Sequence, residues 1–566
     1  MPKLDPAAVD FVSHLAGSDG YATYLRDTLL SLCAVDTAPD SDLASTASRE
    51  QQLFDLIQRE VEGLRDCSGE VERPPIDPAI ESEPAYTAPG YAADRRGRVP
   101  PAEQVYAGRT NLVVIFDGNP GTNPRPVVQH AHVDIVPFWT APRAVGHRVV
   151  GRGACDNKAQ VAVLLAQMRL LDELQRHLGR QGRRGRVYQF VIDEEIGGNG
   201  SLSLAMDPRF SGCPMIVHEC TGLVPYCAHR GCVYYRCRLS VGNGTEGNAL
   251  KMVPYVVTAL DEEGRRFQEE TRHPLFGLEH VQANPGILGP YGRTPGTVCD
   301  HVAVVVALGS QASPEEAAVS IERCLADSLR AYCRRHGDKT VILDAATGKP
   351  MLEKHFSVEC VSQSGPPGFR IDVFGVGGHM GALSECDNAI TKAAYMLRGL
   401  LDSADIPLRD VIVRLADADE EAAEVVLEGG QGFTPCHRME DIEARLAAAA
   451  RRGAMDCSAA CGFRFDESMI EMSFDRLHND AYAADPGIEP MRALLAAREA
   501  VGLPPVEVVG WRTSCDARLY HARGYPVAIF GAGRLDVAHS DHEYVDIAEM
   551  QQALAISTLA VWSMMM

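Results

Sequence analysis

The sequence predicts an α/β fold: a mostly parallel sheet flanked by helices, with an inserted, doubled α+β lid domain. Short apolar runs alternate with amphipathic helical stretches near both ends of the chain. A central stretch with a different residue pattern separates these two regions. Alternating β and α elements favour a parallel sheet covered by helices on both faces. At 566 residues, the chain is also too long for one ordinary core.

The first group of elements precedes the central stretch. Helical spacing of leucines predicts two early helices, and a Pro-, Glu- and Gly-rich excursion follows at residues 66–108. Apolar runs then predict strands at residues 111–116, 126–129, 187–192 and 215–217, with a strong helix at 160–174. After the central stretch we expect strands at 506–509 and 526–530 and a helix from about 546 to the end.

The central stretch contains a weak internal repeat. Each copy contains glycines after a strand and then Asn-Ala before a helix, in the order β-α-β-α. The alternative is that any two β-α-β-α stretches look alike. The predicted domains are therefore 1–232 and 471–566 for a catalytic metal-binding domain and 233–470 for a lid, with halves at about 233–333 and 357–452.

Charge and composition limit the classes of partner that we expect the protein to bind. The formal net charge of −22 argues against nucleic acid, because phosphates require a basic face. We expect no membrane partner, since no stretch approaches the roughly 20 apolar residues of a membrane span. The N-terminal sequence lacks the pattern of a secretory signal, and the 17 cysteines are scattered. A cytoplasmic location with reduced thiols is therefore expected.

Histidine and acidic clusters follow the predicted strands of the outer domain. In open parallel sheets, ligands bind at the carboxyl ends of the strands, so groups that are far apart in sequence can converge there. Oxygen and imidazole donors suit Zn²⁺, Mn²⁺ or Co²⁺. Each cluster alone is a weak signal, and their joint occurrence in this order carries the argument. The clusters are His132-Val133-Asp134, Asp156 before a helix, Asp193-Glu194-Glu195, His218-Glu219 and His539.

Several segments together resemble a known family. The sequence is similar to the zinc exopeptidases and amidohydrolases that include aminoacylase-1, succinyl-diaminopimelate desuccinylase, acetylornithine deacetylase, carboxypeptidase G and carnosine dipeptidase. The resemblance implies a phosphorylase/hydrolase-like two-zinc exopeptidase domain. The segments that carry it are HVDIVP (132–137), GRGACDNK (151–158), DEEIGGNG (193–200), HRG (229–231), VGGHMG with DNAI (376–390), SCDAR (514–518) and FGAG with AHSDHEYV (530–545).

The resemblance implies a role for each acidic or histidine residue. Asp156 bridges two metal ions, which the resemblance implies are zinc, with Mn or Co as alternatives. Asp134 orients His132, and Glu194 is the general base. The other implied ligands are His132 and Glu219 for one ion and Glu195 and His539 for the other.

The lid contributes further expectations. The resemblance implies that His379, in the glycine-rich turn of the second copy, hydrogen-bonds the tetrahedral oxyanion. The doubled lid favours a monomer over a homodimer. Family lids often carry an arginine for a substrate carboxylate, but the matching strand here reads EGGQGFTP. Arg518 is the expected substitute, with Arg464 and Arg476 as alternatives, and an ordinary salt bridge is the competing explanation for each.

The preferred function is that of a di-metal hydrolase cutting the amide bond of a dipeptide or N-acyl amino acid. Two alternatives stay open. One is a two-zinc aminopeptidase of the type without a lid, which the VGGHMG turn in a separable domain argues against. The other is a catalytically inactive metal-binding or assembly protein, which the presence of Glu194 argues against. The accepted acyl group and side chain stay open.

Overall fold

The structure of the protein is a computed structural model. It describes residues 4–64, 69–94, 98–119, 124–241, 248–288, 296–307, 314–343, 348–361, 368–403, 412–415, 423–540 and 542–566. The chain divides into two units. The first unit comprises Met1–Gly231, Pro274–Phe276 and Arg476–Met566, and the second comprises Cys232–His273 and Gly277–Asp475.

The helices and strands alternate along both ends of the chain. The α-helices are α1 (Pro6–Ala16), α2 (Asp19–Cys33), α3 (Leu43–Glu62), α4 (Ala102–Val105), α5 (Lys158–Leu178), α6 (Asn199–Ala205), α7 (Met252–Glu270), α8 (Pro314–His336), α9 (Ala389–Leu401), α10 (Met439–Cys461), α11 (Glu489–Ala500), α12 (Ala517–His521) and α13 (Ile547–Met565). The strands are β1 (Glu70–Glu72), β2 (Leu112–Phe116), β3 (Val127–His132), β4 (Arg143–Val145), β5 (Arg148–Val150), β6 (Arg186–Val191), β7 (Met215–His218), β8 (Ala228–His229), β9 (Gly231–Ser240), β10 (Ala283–Leu288), β11 (Thr297–Val298), β12 (His301–Ala307), β13 (Phe356–Val361), β14 (Gly368–Phe374), β15 (Gly378–His379), β16 (Ile412–Leu415), β17 (Glu424–Phe433), β18 (Ile470–Ser473), β19 (His478–Asn479), β20 (Tyr482–Ala483), β21 (Val527–Phe530) and β22 (Tyr544–Asp546).

A six-stranded sheet forms the centre of the first unit. Its strand order is β1-β2-β6-β3-β7-β21. The strands β6, β3, β7 and β21 are parallel neighbours, whereas β1 and β2 add an antiparallel edge. The predicted mostly parallel sheet is therefore confirmed.

Burial on both faces explains why these strands are parallel. Every residue of β3, β6, β7 and β21 is buried, as parallel strands require when helices cover both faces of the sheet. The long helix α5, whose sequence is largely apolar, packs against α2, α13 and β3. It ends at Gly179, which adopts φ of 61° in the left-handed region that glycine reaches without strain.

One sequence-based prediction in the first unit is wrong. Residues 506–509 were expected to form a strand, but none of residues 503–510 belongs to a strand. Pro504 and Pro505 directly precede residues 506–509 and lack N–H donors. At the start of segment 503–510 the Leu503 N–H donates to the carbonyl of Arg498 at 3.1 Å, and at its end the Gly510 N–H donates to the carbonyl of Leu275 at 2.6 Å.

The second unit is built on two four-stranded groups and four long helices. One group has the order β10-β17-β9-β18, and the other, fully antiparallel, has the order β13-β14-β12-β16. The helices pack as the pairs α7–α10 and α8–α9, and α7 also contacts α9. Each group joins strands from both halves of the proposed repeat, so the doubling of the lid stays a prediction.

None of the described helices combines the length and the apolar composition that crossing a bilayer requires.

Candidate metal centre

Acidic and histidine side chains gather at the carboxyl end of the central sheet. His132 is the last residue of β3, Glu219 directly follows β7, and Glu194 and Glu195 form a short 3-10 turn after β6. Because these three strands are parallel neighbours, their carboxyl ends meet at one edge of the sheet. His539 joins them from the loop after β21.

Asp156 lies between the two histidines. Its Oδ1 is 3.1 Å from Nε2 of His132, and its Oδ2 is 3.3 Å from Nε2 of His539. Nε2 of His539 is also 2.9 Å from Oε2 of Glu195. A carboxylate whose two oxygens face different imidazoles has the arrangement needed to bridge two cations.

Two groups of possible metal donors share Asp156. The donor atoms of His132, Asp156 and Glu195 lie within 4.8 Å of one another, as do those of Asp156, Glu219 and Cys220. Within the described part of the chain, the buried Oε1 of Glu219 has no hydrogen-bond partner. An unpaired buried carboxylate oxygen is costly, and a bound cation removes that cost. The residues present therefore fit a pair of divalent cations.

The electrostatics of the cluster also favour cations. Burial raises the pKa of Glu219 well above that of an exposed glutamate; His132 opposes this effect and Asp156 adds to it. Burial likewise raises the pKa of Glu195. Burial acts to lower the pKa of His539, but the negative charges of Glu195 and Asp156 raise it to about 10. Negative charge thus dominates in a buried site, where cations are attracted most strongly.

Asp134 orients the residues around it. One of its carboxylate oxygens accepts the backbone N–H of Glu194 at 3.1 Å, and the other accepts that of Glu195 at 3.0 Å. Nδ1 of His132 lies 3.4 Å from Oδ1 of Asp134 and 3.2 Å from its carbonyl oxygen. When the ring proton of His132 is on Nδ1, the lone pair of Nε2 is available to a metal ion. Nε2 is the ring nitrogen that faces Asp156.

Glu194 stands beside this cluster without belonging to either group of donors. Its Oε2 lies 3.9 Å from Nε2 of His132. Burial raises the pKa of Glu194 well above its usual value; His132 opposes the shift, and Asp516 and Glu219 add to it. A carboxyl group with a raised pKa is suited to accept and release a proton near neutral pH.

A buried network that the sequence reasoning missed fixes the turn carrying the two glutamates. Asp193 adopts φ of 63°, a left-handed conformation that costs a residue with a side chain about 1–2 kcal/mol. Its carboxylate accepts hydrogen bonds from Arg109 at 2.8 Å, Tyr91 at 2.8 Å and Tyr106 at 2.9 Å. Arg109 also pairs with the buried Glu50. The three partners of Asp193, and Glu50 behind Arg109, lie far from Asp193 in sequence and share no motif with it.

The sequence reasoning also missed a second buried network of hydrogen bonds. Oγ of Ser201 donates to Oδ2 of Asp516 at 2.5 Å, and Nε2 of His130 lies 2.6 Å from the same Oγ. Because the serine proton points to Asp516, His130 donates from Nε2. Gly198, at φ of 78°, has no room for a side chain, since a Cβ would lie 2.0 Å from Oδ1 of Asp516. The SCDAR segment was the available signal for Asp516, and only its arginine was selected.

Two further predicted site residues are His379 and Arg518. The backbone of His379 pairs with Thr297 between β15 and β11, but its side chain lies outside the described part of the chain. Arg518 is buried and donates from Nη2 to the carbonyl of Gly197 at 2.8 Å. Burial lowers the pKa of Arg518, and Asp516 opposes the shift.

Comparison with known proteins gives a family match and several structural matches. The profile of the Peptidase family M20/M25/M40 matches residues 128–563. No curated protein sequence matches the chain. Human carnosine dipeptidase 1 has a similar structure, with a TM-score of 0.56, 13% identity and 100% of each chain covered.

Two further structures show the same likeness. The dipeptidase Dug1p from Saccharomyces cerevisiae has a TM-score of 0.54 at 13% identity, with 98% of each chain covered. The M20 family metallo-carboxypeptidase Sso-CP2 from Sulfolobus solfataricus has a TM-score of 0.50 at 11% identity, covering 95% of this chain and 98% of its own. At such low identities the structural likeness is one of fold.

Proposed function

The chain belongs to the peptidase family M20/M25/M40, a family of metal-dependent peptidases and amidohydrolases, and we propose that it cleaves the amide bond of a dipeptide or N-acyl amino acid with two bound divalent metal ions. The family match confirms the resemblance drawn from the sequence motifs. The substrate class, the number of metal ions and the residue roles are the parts that belong to the proposal.

One observation supports the proposal most directly: the position of Asp156 between two imidazoles. Its two carboxylate oxygens face His132 and His539, and it is shared by both groups of possible donors. We assign His132 and Glu219 to one ion, Glu195 and His539 to the other, and Asp156 to both. The unpaired Oε1 of Glu219 supports a cation on its side of the site.

The donor set suggests which metals suit the site. Carboxylate oxygens and imidazole nitrogens bind Zn²⁺, and they also accept Mn²⁺ or Co²⁺. When bound, the two ions would polarise the scissile carbonyl and lower the pKa of a water molecule. Zinc is the first choice because imidazole and carboxylate ligands are typical of catalytic zinc sites.

Glu194 is the proposed general base. It accepts a proton from the attacking water while the water oxygen forms a bond to the carbonyl carbon. It then delivers that proton to the amide nitrogen as the carbon–nitrogen bond breaks, which yields a carboxylic acid and an amine. The hydrogen bond from its backbone to Asp134 and the raised pKa of its carboxyl group support this role.

The remaining roles are carried forward as proposals. We propose that the first unit carries catalysis and that the second unit is the lid of the family. His379 is proposed to stabilise the oxyanion, and Arg518 to contribute to binding of a substrate carboxylate. For Arg518, the buried Nε without a partner among the described residues supports a further, unfilled interaction.

A substrate screen tests the proposed function. Metal-loaded protein is assayed against a panel of dipeptides and against N-acetyl, N-succinyl and N-carbamoyl amino acids. We expect hydrolysis of at least one class, abolished by a chelator and restored by Zn²⁺ or Mn²⁺. Protein that binds its metals but hydrolyses no member of any class would support the alternative of an inactive metal-binding protein.

A further inference from the structure

A second cluster of side chains with possible metal-donor atoms lies in the second unit. Cys333 is in the last turn of α8, Asp338 follows the end of that helix, and His355 directly precedes β13. One donor atom from each of the three lies within 4.8 Å of the other two. Nε2 of His355 is 3.0 Å from Oδ1 of Asp338 and 3.9 Å from Sγ of Cys333.

These distances are close to those around a tetrahedral zinc ion. With Zn–S of about 2.3 Å and Zn–N of about 2.1 Å, tetrahedral angles place sulfur and nitrogen about 3.6 Å apart, and nitrogen and oxygen about 3.3 Å apart. The observed separations differ from these values by about 0.3 Å each, which small side-chain rotations can remove. Nε2 of His355 is the nitrogen that faces the other two donors, and Nδ1 is buried without a partner among the described residues.

The charges around the cluster also suit a cation. A helix C-terminus carries partial negative charge, and the cluster lies at the end of α8. The backbone N–H and the hydroxyl of Thr340 donate to Oδ1 of Asp338 at 2.9 and 2.6 Å, which holds the carboxylate in place beside His355. The nearby ammonium group of Lys392 does not fill the place of a metal ion, because it pairs with Asp387 at 2.5 Å and donates to the carbonyl of Phe374 at 2.6 Å.

We propose that Cys333, Asp338 and His355 form a third metal site, for Zn²⁺ or a similar ion, with a fourth position open to water or a small ligand. Thiolate, carboxylate and neutral imidazole together carry two negative charges, which a divalent cation neutralises. Binding releases the thiol proton of Cys333, and His355 binds through Nε2 with its single ring proton on Nδ1. The ion would join the end of α8 to the start of β13.

The thiolate distinguishes this site from the centre in the first unit, whose proposed ligands are carboxylates and imidazoles. Co²⁺ bound to a thiolate gives an intense near-ultraviolet charge-transfer band, which oxygen and nitrogen donors do not. We therefore titrate the full-length, metal-free protein with Co²⁺ and then with Zn²⁺. We expect the band to appear with Co²⁺ and to be lost when Zn²⁺ displaces it.

Variants locate the thiolate. Cys333→Ser should abolish the band and lower bound zinc by one equivalent relative to wild-type protein, whatever the total. Cys324→Ser, which changes another cysteine of α8, is the matched control and should keep both signals. Cys220→Ser is the second control, because Cys220 lies near Asp156 and Glu219.

A further variant distinguishes loss of the metal site from misfolding. Asp338→Asn keeps the shape of a side chain that is 40% exposed, and we expect it to weaken zinc binding by at least tenfold without changing the circular dichroism spectrum. Absence of the band in wild-type protein would overturn the proposal. So would a band that survives Cys333→Ser or disappears only in Cys220→Ser. These results do not depend on hydrolytic activity, so they leave the proposed function to be judged separately.

Discussion

The side chain of Glu543 accepts the backbone N–H of Asp156 at 2.9 Å, although 387 positions separate them in the sequence. The same oxygen accepts the N–H of Cys155 at 2.9 Å, and the other oxygen accepts a hydrogen bond from Arg152 at 2.6 Å. Glu543 thereby fixes the loop that carries the candidate bridging carboxylate. Glu543 itself is not a member of either group of possible metal donors.

This contact predicts that Glu543→Ala lowers both metal content and stability. The substitution releases two backbone N–H groups and leaves the buried Arg152 without its counter-charge, which typically costs about 3–5 kcal/mol. Urea denaturation and elemental analysis measure the two effects. Asp546→Asn is the control, because Asp546 pairs with the more exposed Arg148 and should change neither quantity appreciably. Unchanged stability in Glu543→Ala would contradict the role given to Glu543.

The proposed ligand set predicts that His539→Ala loses one of two metal ions. His539 contacts Glu195 and one oxygen of Asp156, whereas the other oxygen faces His132. Elemental analysis should give about one ion per chain fewer in the variant than in wild-type protein. Retention of both ions would remove His539 from the ligand set, and loss of both would mean that the two positions bind cooperatively.

A pH dependence follows from Asp261 in the second unit. Burial acts to raise the pKa of Asp261, but His336 and Arg335, at 3.3 and 3.0 Å, hold it below its usual value. A depressed carboxyl pKa contributes stability above the unfolded value of about 4, and this contribution is lost as the pH falls below it. The free energy of unfolding of wild-type protein should therefore fall on acidification below about pH 4.

Asp261→Asn should be less stable than wild-type protein at pH 7 and should lose less stability between pH 7 and pH 3. Urea denaturation across this range measures both effects. Asp327→Asn serves as the control, since Asp327 is 56% exposed and its variant should follow the wild-type curve. A parallel pH profile for Asp261→Asn would show that Asp261 does not contribute to the acid response.

The role proposed for His379 predicts that His379→Ala lowers kcat much more than it raises KM. A donor aimed at the developing oxyanion stabilises the transition state more than the bound substrate, and its loss costs roughly 3 kcal/mol. We also expect the active unit to be a single chain. Mixing Glu194→Gln with His379→Ala protein should then recover no activity, whereas recovery would indicate a dimer in which His379 acts across the interface.

Much of the centre in the first unit was accessible from sequence because strand ends position its residues. His132 and Glu219 lie at or directly after buried apolar strands, and parallel strands bring their carboxyl ends to one edge. Asp156 could be selected because a glycine-rich turn and a strong helix surround it. In each case a local pattern of a few residues carries the information.

The contacts that hold these site residues in place could not be predicted from local sequence patterns. Arg109 reaches Asp193 across 84 positions, and Glu543 reaches Asp156 across 387, and neither contact leaves a periodic or local signal. The failed strand at residues 506–509 has a related cause. An apolar alternation predicts a strand only if a partner is available, and partners are decided by the tertiary fold.

The turnover of Glu194→Gln at matched metal content tests the central claim most directly. Glutamine keeps the shape of the side chain but cannot accept the proton from water. Wild-type and variant proteins are loaded with Zn²⁺, their metal content is verified by elemental analysis, and kcat is measured on the best substrate of the screen. We predict equal metal content and a kcat lowered by about 10²- to 10⁴-fold in the variant. A kcat near the wild-type value at equal metal content would contradict the assignment of Glu194 as the general base.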